Sequence, residues 1–212
     1  MKQRLATEEA RNIILHSQKL LSTNNTTLST LEHLGYIQID TLSVIQRAHH
    51  HTLWTRDPNY QTSELDDLVE EGKVFEYWSH AASYFPIREY RYTLPMKQAI
   101  LKNEQKHWYD KDEKLMSLVL ERIKNEGALM ARDFEGTSKK GKDWTSKPAK
   151  KALECLFIQG ELMISSRKNF HKVYDLTQRV LPHNIDTSVP SREEHIRFLI
   201  TKYLKVNALG QI

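Results

Sequence analysis

The chain has one cysteine in 212 residues, Cys155, so no intramolecular disulfide can form, which fits a reducing compartment. No uninterrupted apolar stretch approaches the ~18 residues that a membrane span needs. The opening residues, MKQRLATEEAR, lack the apolar centre of a signal peptide. Walker A, GxGxxG in a strand–helix context, GxSxG, CxxC and HExxH spacings are all missing, so the motif-borne phosphate, dinucleotide, serine-hydrolase and zinc sites are excluded. These absences predict a cytoplasmic protein. What is present is an ordinary core-forming composition, 39% hydrophobic and 27% charged. The basic excess is small, +4, so its distribution matters more than its size.

Periodicity predicts a mainly α fold with small β-hairpins. Ala10, Ile13, Ile14, Ser17, Leu20 and Leu21 mark one helix face after Thr7, and Leu28, Leu31 and Leu34 mark a second helix ended by Gly35. Tyr36 to Asp40 alternates with period two, placing Ile37 and Ile39 inward and Gln38 and Asp40 outward. Thr41 is then expected to cap a helix carrying Leu42, Ile45 and Leu53, with a fourth helix over 62–71 and a strand over 74–78. After a charged helical connector, Leu115, Leu118, Val119 and Ile123 predict a helix. Ala152, Leu153, Leu156 and Phe157 predict another, opened by Lys147-Pro148, before two strands around residues 165–172. Three helices followed by a hairpin is the winged-helix order, and the first half approximates it too, so two tandem winged-helix (helix-turn-helix) modules are expected. Their limits are 1–94 for the first, 95–111 for the connector and 112–182 for the second, with 183–212 as a linker and a further helix. In that last helix Ile196, Leu199, Ile200 and Leu204 form an apolar face with no downstream partner in the chain.

Charge is unevenly spread. Residues 136–172 hold nine lysines and arginines against three acids, whereas residues 57–76 hold seven acids against Lys73 alone. The surplus covers the third helix and wing of the second module, the elements a winged helix lays on DNA. Lys147, Lys150, Lys151 and Arg167 are the expected phosphate contacts, although a solvated lysine face would read the same way. At the wing tip Asn169 and Phe170 are candidates for insertion into a base stack, or simply a polar turn.

Gln38 and Asp40 lie two apart on an extended segment and leave it on one side. A carboxylate beside a carboxamide can hold one water, Asp40 accepting its proton and Gln38 orienting it. Capping of the next helix explains Asp40 equally well. Arg47 and His50 are candidate DNA-facing residues. Tyr77 and His80 are candidates for the surface that receives an extruded nucleotide, with burial of the aromatic as the alternative. Consecutive histidines 49–51 diverge by about 100° on a helix and cannot share one ion, so no metal site is expected.

Three separated segments, Gln38-Ile39-Asp40-Thr41-Leu42-Ser43-Val44-Ile45, Glu76-Tyr77-Trp78-Ser79-His80-Ala81 and Arg167-Lys168-Asn169-Phe170-His171-Lys172-Val173-Tyr174-Asp175-Leu176, together resemble the YcaQ/AlkZ family of bacterial winged-helix DNA glycosylases. The likeness runs in order from about residue 5 onward. It implies tandem winged helices and base excision repair of alkylated purines, notably N7-alkylguanine, with interstrand-crosslink unhooking in some members. The family's catalytic signature is Gln-apolar-Gln or Gln-apolar-Asp, and Gln38-Ile39-Asp40 resembles the Asp-bearing, YcaQ-like branch. Family chains are nearly twice as long and carry a third winged helix, so the resemblance implies that 183–212 holds only that module's first helix. The implied partner is double-stranded DNA bearing alkylated purines, in a nucleoid-associated setting. No cofactor, membrane or obligate protein partner is implied, and hydrolysis would be monofunctional. The other readings are a winged-helix DNA-binding protein without chemistry and an inactive remnant.

Overall fold

A computed structural model describes residues 5–22, 25–40, 42, 45–106, 108–134 and 148–207. The chain begins with helices α1 (Thr7–Ser17) and α2 (Thr27–Leu34). The Thr26 hydroxyl accepts from the Ser29 amide to cap α2, and Gly35 ends it at φ +83°, a left-handed conformation. Strand β1 (Ile37–Gln38) follows, with Ile37 and Ile39 buried as the alternation requires. Helices α3 (Ala48–Trp54) and α4 (Ser63–Glu70) come next, then β2 (Val74–Trp78) and β3 (Ala82–Pro86). The sheet order is β1-β3-β2, all antiparallel, with Ile37 opposite Tyr84 and Gln38 opposite Ser83.

A 3-10 turn (Ile87–Thr93) and α5 (Leu94–Leu101) lead to α6 (Glu113–Glu126). Strand β4 (Leu129–Met130), α7 (Pro148–Ile158), β5 (Leu162–Lys168) and β6 (His171–Leu176) then form a second three-stranded sheet in the order β4-β6-β5. Short α8 (Thr177–Val180) precedes α9 (Arg192–Asn207). The fold is mainly helical with small hairpins, a tandem winged-helix architecture. Among the described residues no helix is long and apolar enough to cross a membrane.

Strand β2 joins the two halves. Val74 packs with Leu31, Leu53, Leu65 and Tyr84, while Phe75 and Tyr77 enter the other apolar cluster with Val119, Ile123, Leu153, Leu156 and Phe157. Alternation thus gives β2 two buried faces, one per half. Glu76 sits in this strand and is also buried.

Three sequence expectations are corrected. The helix expected from Thr41 starts at Ala48, and Leu42 and Ile45 are 76% and 88% exposed rather than core. The Leu42 amide donates to Asp40 Oδ1 at 2.8 Å in an Asx turn, and Arg47 is still extended at φ −71°, ψ 143°, so the helix begins only after it. Leu118 is exposed, and Met116 takes the core position on α6. Helix α9 docks on the first half, but through a polar and aromatic face. Glu194 pairs with Arg91, Phe198 stacks on Tyr92 with centroids 3.7 Å apart, and Lys202 donates to Gly35 O and Glu89. A Cβ on Gly35 would lie 1.7 Å from Lys202 Cε, so the glycine serves both its turn and this approach. The Ile196, Leu199, Ile200 and Leu204 stripe remains exposed.

Candidate active site

Gln38 and Asp40 leave the end of β1 into one cleft of about 830 Å³, which α2, α3 and α9 also line, with Gln18 just past α1. Ile39 N–H donates to Ala82 O at 2.8 Å, so the ladder holds the segment one residue beyond the strand. Asp40 is anchored at two points. Its backbone N–H donates to His49 Nδ1 at 3.2 Å, and its Oδ1 accepts from Leu42 N–H at 2.8 Å. Oδ2 has no protein partner among the described residues. Across the cleft stand Leu199, Lys202 and Tyr203 of α9, and Tyr36 closes one side. Exposed His80, in the β2–β3 turn, meets Tyr36 edge-on with centroids 5.4 Å apart, so the turn reaches the rim.

The three histidines of α3 diverge. His49 is 3% exposed and lies parallel to the Phe170 ring, 6.3 Å away and tilted by 11°. His50 Nδ1 shares a 2.8 Å hydrogen bond with the Tyr60 hydroxyl, and His51 packs on Trp54. Burial, followed by the nearby His50 and Arg47, pushes His49 down to about 3. It is therefore neutral near pH 7, and because Nδ1 accepts from Asp40 its proton sits on Nε2.

The wing of the second half departs from its expected role. Arg167 is only 10% exposed at the side chain and grips Glu76, itself 1% exposed, through Nε and Nη2 at 2.8–3.0 Å. Its Nη1 donates to Phe170 O at 2.6 Å, so every edge of the guanidinium is used and Arg167 is not a free phosphate contact. Phe170 is not a free wedge either. It is half-buried at φ +66°, with the Arg47 guanidinium 3.6 Å from its ring centroid and Arg167 4.3 Å away. Tyr77 is core rather than a nucleotide-stacking surface: it is buried, and its hydroxyl donates to Ile158 O at 2.6 Å.

Of the remaining expected contacts, Lys150 is exposed on α7, Lys151 is half-buried with Nζ 5.8 Å over Tyr109, and Asn169 is exposed at φ +50°. Arg47 is half-buried, and its Nε has no hydrogen-bond partner among the described residues. Lys147 lies outside the described residues. The sequence reading missed Glu76, His49 and the cleft-facing part of α9. Glu76 did leave a signal: it is the one acid in the apolar run Val-Phe-Glu-Tyr-Trp, and a carboxylate there demands a buried cation.

Tandem winged helices with a Gln-apolar-Asp cleft define a class of helix-turn-helix proteins, and comparison narrows it. The family model for AlkZ-like DNA glycosylases matches residues 31–211, and the chain belongs to that family. Among solved structures the chain is similar to Streptomyces sahachiroi DNA glycosylase AlkZ, with a TM-score of 0.65 and 12% identity. That match covers 96% of this chain and 58% of the Streptomyces one, so the chain spans little more than half the length of that enzyme.

Proposed function

We propose that the chain is a monofunctional DNA glycosylase that hydrolyses the N-glycosidic bond of N7-alkylated purines in double-stranded DNA. The observation that carries this reading is the placement of Gln38 and Asp40 together in the cleft of an AlkZ-like family member. Alkylation at N7 leaves the purine cationic, so the base is already a good leaving group. As the C1′–N9 bond breaks, its electron pair neutralises the base and the sugar gains oxocarbenium character. The Asp40 carboxylate stabilises that charge, and a water oriented by Gln38 bonds to C1′ while its proton passes to Asp40. The products are free base and an abasic site. At about 830 Å³ the cleft is near the upper end of ligand pockets, about 300–1,000 Å³, which supports bulky adducts and crosslinked purines as substrates. Exposed Lys150 and Asn169 and half-buried Lys151 are the proposed DNA contacts outside the cleft, with Arg47 and His80 nearer the substrate.

The test is single-turnover incubation with duplex DNA carrying N7-methylguanine, scored as free base and alkali-labile sites. Wild type is expected to excise. Asp40→Ala is expected to lose about 10²–10³-fold in rate, in keeping with removal of one preorganised electrostatic group. Asp40→Asn should lose less, because an amide supports departure of an already cationic base. A folded wild-type chain that binds this DNA and releases no base would overturn the reading in favour of a DNA-binding protein without chemistry.

A further inference from the structure

We propose that His49 is a positioning residue for Asp40, and that the wing tip of the second half, through Phe170, holds His49 in place. This rests on the glycosylase reading above and adds to it a route by which the second half reaches the reacting carboxylate.

The route consists of consecutive contacts. Glu76 in β2 fixes Arg167 through a bidentate pair, and Lys172 joins it at 3.6 Å. Arg167 Nη1 holds Phe170 O, which pins the tip of the β5–β6 hairpin in its left-handed bend of Asn169 and Phe170. The Phe170 ring then lies parallel to His49, and it belongs to the apolar cluster of Ile39, Leu53 and Tyr84 in the first half. His49 Nδ1 accepts the Asp40 amide, the last backbone donor before the Asx turn that orients the carboxylate. Among the described residues after Asp40, the next helix begins at Ala48. A buried acceptor on rigid α3 therefore sets where the carboxylate stands in the cleft. An error of about 1 Å at that carboxylate costs about 10²-fold in rate without weakening DNA binding. Burial keeps the imidazole neutral, so the acceptor persists through the working pH range.

Two substitutions separate the roles of the ring and the acceptor. His49→Phe keeps a ring beside Phe170 and removes the acceptor. His49→Asn removes the ring but keeps an acceptor oxygen at the same number of bonds from Cα as Nδ1. With N7-methylguanine duplex under single-turnover conditions, His49→Phe should fall at least about 20-fold with DNA affinity within about twofold of wild type. His49→Asn, which loses the ring contact but keeps the acceptor, should fall no further than about 3–10-fold, like Phe170→Ala. Phe170→Ala should fall about 3–10-fold, again with affinity retained. Wild-type rates in His49→Phe, or equal losses in the Phe and Asn variants, would overturn the proposal for His49. An unchanged rate in Phe170→Ala would overturn the part given to the wing. If His49→Phe fails to fold, nitrogen NMR of the wild-type imidazole decides: an unprotonated Nδ1 with a proton on Nε2 supports the bond to Asp40, and a protonated Nδ1 overturns it. Asp40→Ala runs alongside as the control. If Asp40→Ala excises like wild type, the glycosylase mechanism fails, while the nitrogen spectrum still reports on the His49 bond.

Discussion

The two hairpins of this molecule occupy equivalent places in their modules and do opposite things. The β2–β3 hairpin buries its strand and exposes its turn, where Trp78 and His80 are exposed and Ser79 lines the cleft. The β5–β6 hairpin carries the basic tip expected to lie on DNA, yet that tip is folded back onto the first half through Arg167 and Phe170. A buried carboxylate makes the difference. Glu76 on the first hairpin attracts Arg167 and Lys172 of the second, whereas the turn of the first hairpin packs on the aromatic rings of Tyr36 and Trp108. Cationic residues in a wing therefore identify a DNA contact only after their carboxylate partners are known.

Glu76→Gln breaks that comparison most severely. It keeps volume and some hydrogen bonding but leaves Arg167 nearly buried and without its paired carboxylate, and it weakens the hold on Lys172, which retains Glu154 at 3.1 Å. Loss of one partner of a buried pair costs about 3–5 kcal/mol. Urea unfolding should show this as a lower midpoint with little change in slope. A change below about 1 kcal/mol would mean the clasp is not what joins the wing to the first half.

How much of this was legible follows from range. Features set by neighbours a few residues apart were readable: the period-two segment around Gln38 and Asp40, the turn at Gly35, and the helix of Ala152, Leu153 and Leu156. The expected helix through Leu42 and Ile45 failed because their i, i+3 spacing mimics a helix face, while the backbone is still extended at Arg47 and the helix starts at Ala48. Arg167 and Glu76 are separated by 91 positions, so counting charge along the chain could not pair them. Helix α9 misled for a related reason. Its apolar stripe is evident in sequence, but ion pairs and one aromatic stack decide which face docks, and Leu199 is left lining the cleft.

A second buried cation sharpens the contrast. Lys97 on α5 lies under the first hairpin, 4% exposed, with its ammonium 3.8 Å from the Tyr90 ring centroid and 4.6 Å from that of Tyr77. Aromatic faces meet it where Glu76 meets Arg167, and burial pushes it down to about 7. Between pH 7 and 10.5 the unfolded chain keeps a proton on this lysine that the folded chain lacks, so folding stability from this group rises with pH across that window. Lys97→Met removes the cost of burying the charge and should stabilise by about 1–3 kcal/mol at pH 7, with the advantage shrinking toward pH 10.5. Thermal unfolding of both proteins at several pH values reads the difference directly. A constant offset would mean that packing, not charge, sets the effect.

The smallest expected effect is the most direct test of which cations meet DNA. Lys150 and Arg167 fall in the same basic stretch and carry the same unit charge, but Lys150 is exposed and Arg167 is spent on Glu76. Each phosphate neutralised releases condensed counterions, so removing one true contact lowers the slope of log affinity against log salt by about 1. Lys150→Ala should lower it by that amount and leave the urea midpoint within about 0.5 kcal/mol of wild type, as for an ordinary surface change. Arg167→Ala should do the reverse, leaving the salt slope unchanged while stability falls, because it strips Glu76 of its main partner. Filter-binding or anisotropy titrations between about 50 and 200 mM salt, on a duplex of fixed length, give both slopes in one experiment. Equal slope losses for Lys150→Ala and Arg167→Ala would show that Arg167 leaves Glu76 when DNA arrives, and the second hairpin would then be a DNA wing after all.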